Sequence, residues 1–338
     1  MKPVSILPRG HSGFGLVELM IAMTLGLVLL GGIGYLYIGS RGAFRTTDNL
    51  SRMQENARYA LDMMSRDIRM AGYVGCGNMA SITVKTIANP PVPAMTIGNA
   101  LIGYNSGTGW TNPTTITRLA NTDVLSVMGA FSGGINLTGN LAPQNANVQI
   151  NGNPDGFQAG EVLVVTNCVN ADVFKATSVS NGGTTVTIAH SSSSNTGNRV
   201  GTYGKDAFVM RINQYTYFIG TPTATSTRPN PPPSLYRVGL DGNPEELVEN
   251  VQDLQFKYGL DTNGDGAVDS YSYTPGNWAQ VVSVKVSLLM RSPDDNLSTS
   301  TQSVTFDNGS TGIFAAPDRR LYQVYSATVG VRNRLPPM

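Results

Sequence analysis

A single apolar run dominates the first forty residues of the chain. From residue 14 to residue 38 the 25 side chains are uncharged except for that of Glu18. As a helix, this run would extend about 37 Å, which is enough to cross the hydrocarbon core of a bilayer. The pattern therefore predicts a membrane-spanning helix over residues 14–38.

Beyond residue 38 the hydrophobic pattern becomes periodic. Apolar side chains recur at intervals of three and four, which is typical of one helical face, at Leu50, Met53, Ala57, Leu61, Met64, Ile68 and Ala71. The opposite face alternates in charge at spacings that allow surface ion pairs, at Glu55, Arg58, Asp62 and Arg66. We predict an amphipathic half of the same helix over residues 39–72, with Gly72 as its C-terminal cap.

The remaining residues, 73–338, form short alternating segments between turn residues, which predicts a β-rich head. The clearest strand, "AQVVSVKVSLLMRS", is expected to bury one face through Val282, Val284, Val286, Leu288 and Met290. The proline-rich segment 228–233 would divide the head into two lobes, and a single head with a large insertion is the alternative. Residues 80–230 contain no motif that assigns their fold.

Composition narrows the classes of partner. Charged residues make up 13% of the chain, with 23 basic and 22 acidic side chains, so no net field favours nucleic acid, and we expect no nucleic-acid partner. Cys76 and Cys168 have no neighbour at a metal-ligand spacing. They are either two buried thiols or, if the head is exported, a disulfide.

The segment around Glu18 combines a basic leader with an acid inside an apolar helix. Lys2, Arg9 and His11 precede the run, as in an export signal. A carboxylate at membrane depth is costly, which makes it a functional candidate. The alternative is that Glu18 merely reaches the headgroups and interacts with the helix dipole.

Gly13, Phe14, Leu16, Val17 and Glu18, between this leader and the apolar helix, resemble the processing site of type IV prepilins and pseudopilins. The resemblance implies cleavage between Gly13 and Phe14 by the prepilin peptidase, removal of leader residues 1–13 and N-methylation of Phe14. It also implies that Glu18 pairs with the N-terminal amine of a neighbouring subunit during assembly, which would compensate the buried charge.

Both ends of the chain further resemble the PilW family of minor pilins, through "AGYVGCG", "ENVQDLQFKYG", "AQVVSVKVSLLMRS" and "LYQVYSATVGVRNRLP". The implied fold class is α+β: a long N-terminal α-helix packed on a β-rich, antiparallel-sheet head. The implied location is the bacterial inner membrane, with a single pass and a periplasmic head, and then the pilus. In an oxidising compartment we expect a Cys76–Cys168 disulfide.

The resemblance implies a minor pilin that primes type IV pilus assembly at the filament tip and supports twitching motility or adhesion. The implied partners are the major pilin, other minor pilins, the assembly platform and a PilY-type tip adhesin. Two alternatives stay open. One is a J-type minor pseudopilin of type II secretion, and the other is a membrane-anchored periplasmic enzyme or carbohydrate-binding module, which predicts a polar pocket in the head.

Chemistry-bearing motifs are few, and we expect no enzymatic activity and no required cofactor. The loop "DTNGDGAVD" places oxygen ligands at alternate positions, which fits either weak Ca²⁺ binding or a tight hairpin turn, at Asp261, Asn263, Asp265 and Asp269. Ser272 stands where a full calcium loop has a bidentate acid. His190 lies in a serine-rich stretch and is interpreted as a solvated loop residue rather than a catalytic base.

Overall fold

The computed structural model of the protein describes residues 13, 15–75, 79, 81–90, 92–180, 183–307, 309 and 312–334. It divides into two compact units, residues 1–51 and 52–338. The predicted processing residue Phe14 and the predicted disulfide residue Cys76 lie outside the described residues.

The described residues form one α-helix, α1 (Leu16–Met70), followed by strands and three short 3₁₀ segments. The strands are β1 (Thr83–Thr86), β2 (Leu101–Tyr104), β3 (Thr117–Arg118), β4 (Val124–Ala130), β5 (Ile135–Asn136), β6 (Asn147–Asn151), β7 (Val162–Thr166), β8 (Asn170–Lys175), β9 (Ser178–Val179), β10 (Thr185–Ala189), β11 (Phe208–Thr221), β12 (Ser234–Val238), β13 (Pro244–Glu249), β14 (Val251–Leu260), β15 (Ser270–Ser272), β16 (Val281–Arg291), β17 (Ser303–Thr305), β18 (Ile313–Ala315) and β19 (Tyr322–Gly330). The 3₁₀ segments are Asn105–Gly107, Trp278–Gln280 and Arg332–Arg334.

The N-terminal part of α1 is long and apolar enough to span a membrane. Its most apolar 18-residue window has a mean hydropathy of 2.2, and none of that window is buried by other parts of the protein. Large apolar side chains such as Leu27 and Ile38 are therefore exposed. In water such a surface would be costly, so its exposure fits a helix that meets lipid or other helices.

In the second unit the amphipathic pattern of α1 has the predicted orientation. Met53, Ala57, Met64 and Ile68 are fully buried and join a core with apolar residues of β4, β11, β14 and β16. The charged face is exposed and carries an Asp62–Arg66 ion pair at 3.8 Å, as the spacing predicts.

The helix ends where Gly72 adopts the left-handed conformation, at φ +78°. Its N–H donates to the carbonyl of Met128 at 2.8 Å, and the N–H of Ala130 donates to the carbonyl of Tyr73 at 2.8 Å. The predicted glycine cap is thus confirmed, and the chain leaving α1 is fixed to the end of β4.

The largest sheet has ten strands and is organised around β11, which is fourteen residues long. One path through the sheet runs β1-β8-β7-β11-β12-β13, and β3, β4 and β5 also pair with β11. The proline-rich segment 228–233 connects β11 to β12, which are antiparallel neighbours. The two sides of the predicted lobe boundary therefore share one sheet.

A four-stranded sheet, in the order β15-β14-β16-β19, closes the other side of the main core. Its central strand β16 differs from the expectation. Alternation predicted one buried face, but Leu289 is fully buried and Ser283 and Ser287 nearly so, which makes both faces buried. Leu289 packs in a separate cluster with Phe306 and Tyr322, contributed by the C-terminal segments that cover the outer face.

Strand pairing among the described residues is antiparallel except between β1 and β8. Two smaller sheets complete the head: β6-β10-β9 and β17-β18. The protein is thus α+β, with one long N-terminal helix and a head of mainly antiparallel sheets, as the resemblance implied.

Candidate assembly site

The start of α1 contains the residue that the resemblance singles out. Glu18 is the third residue of the helix, and its Oε2 accepts a hydrogen bond from the N–H of Gly15 at 3.0 Å. Gly15 is the N-cap, since its carbonyl accepts the first helical bond, from the N–H of Leu19 at 3.1 Å. An acid at this position satisfies a free N–H and the positive end of the helix dipole.

The Glu18 carboxylate remains accessible to a partner while it makes this contact. It is exposed, and the hydrogen bond that it makes with Gly15 in the described part of the chain spans only three residues within the first helical turn. A cation that approached the helix start would meet the carboxylate directly. Gly13 is described and exposed, but Phe14 is outside the described residues, so cleavage and methylation there stay predictions.

A buried cluster in the second unit anchors α1 to the large sheet, and the sequence analysis did not identify it. Asp67 is 4% exposed, and its Oδ2 accepts a hydrogen bond from the hydroxyl of Tyr217 on β11 at 2.5 Å. The guanidinium of Arg237 on β12 lies 3.6 Å away. Burial raises the pKa of Asp67, and the Tyr217 hydroxyl and the Arg237 charge oppose that shift.

The signal for this cluster was present in the helical pattern. Asp67 lies three residues after Met64 and next to Ile68, within the apolar stripe rather than on the charged face. A buried carboxylate requires a partner. The stripe alone could have marked Asp67, but only the fold brings Tyr217 and Arg237 to it.

The C-terminal segment of the chain caps the C-terminal end of α1. The Nδ2 of Asn333 donates to the carbonyls of Arg69 and Ala71, at 3.3 and 3.2 Å. The neighbouring Arg334 donates to the carbonyls of Trp278, Val281 and Ile97. Residues 332–334 therefore join the end of α1 to the start of β16 and to the segment before β2, and they satisfy carbonyls that a helix end leaves free.

Of the two cysteines in the predicted disulfide, the structure describes only Cys168. No described cysteine is a free thiol. Cys168 follows β7 with a left-handed backbone, φ 71°, and its N–H donates to the Thr166 hydroxyl at 3.4 Å. Gly75, the residue before Cys76, approaches the same Thr166, since a Cβ at Gly75 would lie 2.8 Å from its Cγ2. The Cys76–Cys168 pairing stays a prediction.

The acidic loop forms the turn of a hairpin. It connects β14 to β15, which pair antiparallel from Tyr258 and Ser272 onward. Asp261 accepts from the N–H groups of Gly264 and Gly266, at 2.6 and 2.8 Å, and Asp269 accepts from the N–H and hydroxyl of Thr262.

The side-chain oxygens of this turn thus accept hydrogen bonds that stabilise its own backbone. Asn263 contacts the carboxylates of Asp265 and Asp269 at 3.2 and 3.4 Å. The described residues contain no group of three or more metal-ligating side chains placed to hold an ion. The hairpin is confirmed, and calcium binding stays a prediction.

His190 does not occupy the solvated loop that was expected. It is fully buried beside Phe174, with the ring centroids 5.1 Å apart. Neither ring nitrogen has a hydrogen-bond partner among the described residues. The serine-rich sequence around it indicated exposure, but the side chain packs against Phe174, which belongs to a buried cluster with residues of β6 and β10.

Two family models match parts of the chain that contain these features. The Prokaryotic N-terminal methylation motif matches residues 8–34, which include Gly13 and Glu18. By this match the start of the chain resembles prepilin-like proteins, and the apolar start of α1 is consistent with a membrane anchor. The model of the Type IV Pilus-assembly protein W matches residues 216–333, from β11 to the helix-capping Asn333.

The resemblance to the PilW family of type IV pilus pilins is thereby confirmed. Both matches indicate a structural pilin rather than an enzyme. Searches of curated proteins and of solved structures give no significant match.

Proposed function

We propose that the protein is a minor pilin that is cleaved after Gly13, N-methylated at Phe14 and assembled with other minor pilins to prime the type IV pilus. One observation carries this proposal: the chain whose residues 216–333 match PilW also carries the methylation motif around Glu18. A secreted enzyme with an ordinary anchor has no need of an acid at this position.

Assembly depends on a charge created by processing. In the precursor, the Glu18 carboxylate caps its own helix through the Gly15 N–H at 3.0 Å. Cleavage produces a new N-terminal ammonium, and methylation leaves its positive charge in place. In the apolar environment of packed helices, an unpaired carboxylate is costly, so a subunit that supplies this ammonium to Glu18 is favoured over one that does not.

The rest of the chain supplies the head and its attachment. The apolar surface of α1 meets the membrane before assembly and neighbouring helices after it, with the head on the periplasmic side of the inner membrane. The major pilin, other minor pilins, the assembly platform and a PilY-type adhesin are the partners in this proposal. The PilW match favours the pilus over a type II secretion pseudopilin.

The processing step is tested by the intact mass and N-terminal sequence of the protein purified from membranes. We expect a mature chain that begins at methylated Phe14 and a full-length chain in cells that lack the prepilin peptidase. A chain that retains Met1 in both strains, or one cut after residue 38, contradicts the proposal.

The role of Glu18 is tested by incorporation into sheared pili. Glu18→Ala should be cleaved normally and lost from the filament, because it lacks the carboxylate that pairs with the ammonium. Glu55→Ala is the matched control, since Glu55 is an exposed acid on the same helix outside the apolar run. Equal incorporation of both variants would refute the role of Glu18.

A further inference from the structure

The head contains an open groove on the large sheet with a volume of about 840 Å³. Strands β7, β8, β11 and β12 contribute to it, and so do the β12–β13 turn and the prolines at 90 and 93. This volume lies in the range of about 300–1,000 Å³ that ligand pockets occupy.

An ion pair between Arg211 and Glu161 lines one part of the groove. The guanidinium of Arg211 on β11 contacts Glu161 through two parallel bonds, Nε to Oε1 and Nη2 to Oε2, both at 3.1 Å. Its Cζ also lies 5.4 Å from the ring centroid of Phe157. Such a bidentate pair has little freedom to rotate, so its outward N–H groups and carboxylate lone pairs keep fixed directions.

A second ion pair, Arg237 with Glu245, also lines the groove. Arg237 lies over the ring of Tyr215, with 4.3 Å between its Cζ and the ring centroid, and donates to Glu245 at 2.7 Å. On its inner side the same guanidinium faces the buried Asp67 at 3.6 Å. The groove is thereby built on the cluster that anchors α1.

The β12–β13 turn completes the rim with side chains that are also held in place. The Nδ2 of Asn243 donates to Asp241 at 2.8 Å, and the Oδ1 of Asn213 on β11 accepts from the N–H of Leu240 at 3.0 Å. The groove therefore presents planar donors and acceptors that are ordered before any ligand arrives, which lowers the entropic cost of binding.

The charges in the groove exclude a strongly charged ligand. Glu161 and Glu245 neutralise Arg211 and Arg237, and Lys175 and Asp241 add one charge of each sign. A polyanion would meet three carboxylates, and a polycation would meet three basic groups. The complementary ligand is neutral and has many hydroxyl groups that both donate and accept.

An extended peptide fits this groove less well. A peptide that bound by strand addition would have to pair with β13, which lies at the edge of the large sheet beside the groove. That strand begins with Pro244, which has no N–H to donate, and continues with the charged Glu245. The edge that faces the groove is thus unsuited to backbone pairing.

We propose that this groove binds a neutral oligosaccharide, whose hydroxyls bridge the Arg211–Glu161 and Arg237–Glu245 pairs. The head then has a glycan-binding activity that is separate from assembly through α1. The proposal does not depend on processing at Gly13 or on the role of Glu18, because every residue in it belongs to the second unit.

The test uses the full-length protein in a zwitterionic detergent, since a glycosidic detergent would compete for the groove. We expect binding to members of an array of neutral glycans, confirmed by calorimetry with the strongest binder. An anionic hexasaccharide and a neutral hexapeptide are measured beside it. Absence of binding across the neutral array overturns the proposal, and so does stronger binding of the anionic sugar or of the peptide.

Neighbouring glutamates on β13 provide a matched pair of variants. Glu245→Gln removes an acceptor in the groove and should weaken glycan binding by about tenfold or more, which corresponds to about 1.4 kcal/mol. Glu246→Gln is isosteric and one residue away, but Glu246 pairs with Arg228 outside the groove and should leave the affinity unchanged. Equal affinities for the two variants, with unchanged melting temperatures, would assign the binding to another surface and refute the groove.

Discussion

At the residue scale, His190 shows how far a side chain can depart from its sequence context. Its ring is fully buried, and both nitrogens lack a hydrogen-bond partner among the described residues. Burial lowers the pKa of the imidazole, and the nearby backbone of Asn198 and the negative charge of Asp172 oppose that shift. The folded protein therefore favours the neutral ring.

This preference predicts a pH-dependent stability. The unfolded chain takes up the proton at a pKa of about 6.5, whereas the folded chain takes it up only at lower pH. The contribution of His190 to the free energy of unfolding should thus have its full value above pH 6.5. It should fall below that pH, by at most about 1.4 kcal/mol per pH unit. His190→Phe, which keeps the apolar contact with Phe174, should remove this loss.

The measurement is the difference in thermal stability between wild type and His190→Phe at pH 7.5 and pH 5. A difference is needed because Asp253, whose pKa burial raises to about 6, changes stability in the opposite direction. If the two proteins lose the same stability between these pH values, His190 does not titrate as described.

Gly129 on β4 illustrates a position that only glycine can occupy. A Cβ there would lie 2.6 Å from the carbonyl oxygen of Met70, the last residue of α1. Because that atom belongs to the backbone, it cannot rotate away. Gly129→Ala should destabilise the head by about 1–3 kcal/mol in urea unfolding. Gly139→Ala is the control, since a Cβ there meets nothing within 4 Å; equal effects would contradict the close approach.

At the element scale, the attachment of α1 to the large sheet rests on a buried polar contact within an apolar face. Tyr217→Phe removes the hydroxyl that donates to Asp67 at 2.5 Å and leaves that carboxylate with one partner fewer. We expect a loss of about 1–3 kcal/mol of unfolding free energy. Tyr271→Phe, at an exposed tyrosine, should cost almost nothing. If Tyr217→Phe leaves the unfolding free energy unchanged, packing alone holds the helix on the sheet.

The β14–β15 hairpin turn gives a second prediction at this scale. If its oxygens bind Ca²⁺ with a dissociation constant of about 0.5 mM, then about 5 mM Ca²⁺ adds about 1.4 kcal/mol of stability. The measurement is the melting temperature in Ca²⁺ and in chelator, and Asp265→Ala should abolish the difference. A calcium effect that persists in Asp265→Ala would rule out this turn as the site.

At the scale of the whole molecule, the predicted Cys76–Cys168 disulfide would join the exit of α1 to β7. Peptide maps with and without reductant should differ by one linked pair of peptides. Replacing both cysteines with serine should cost about 2–4 kcal/mol. A map that does not change on reduction would leave the cysteines unpaired, and the close approach of Gly75 to Thr166 would then reflect packing alone.

The long helix was predictable because its signals are local. Continuous apolarity, the three-four spacing from Leu50 to Ala71 and the glycine at its end each act within a few residues. The same holds for the β14–β15 hairpin. The burial of both faces of β16 was not predictable, because the residues that cover Leu289 follow it in the chain and reach it only in the folded sheet.

The sequence by itself determined the long apolar helix, the position of Glu18 near its start and the β-rich character of the head, since each depends on neighbouring residues along the chain. Only the tertiary structure decided the partners of Asp67, the burial of His190, the cap that Asn333 places on α1 and the groove between Arg211 and Arg237. These features join residues up to 264 positions apart, such as Asn333 and Arg69. Contacts over such separations depend on how strands pair in space, which local composition and periodicity do not specify.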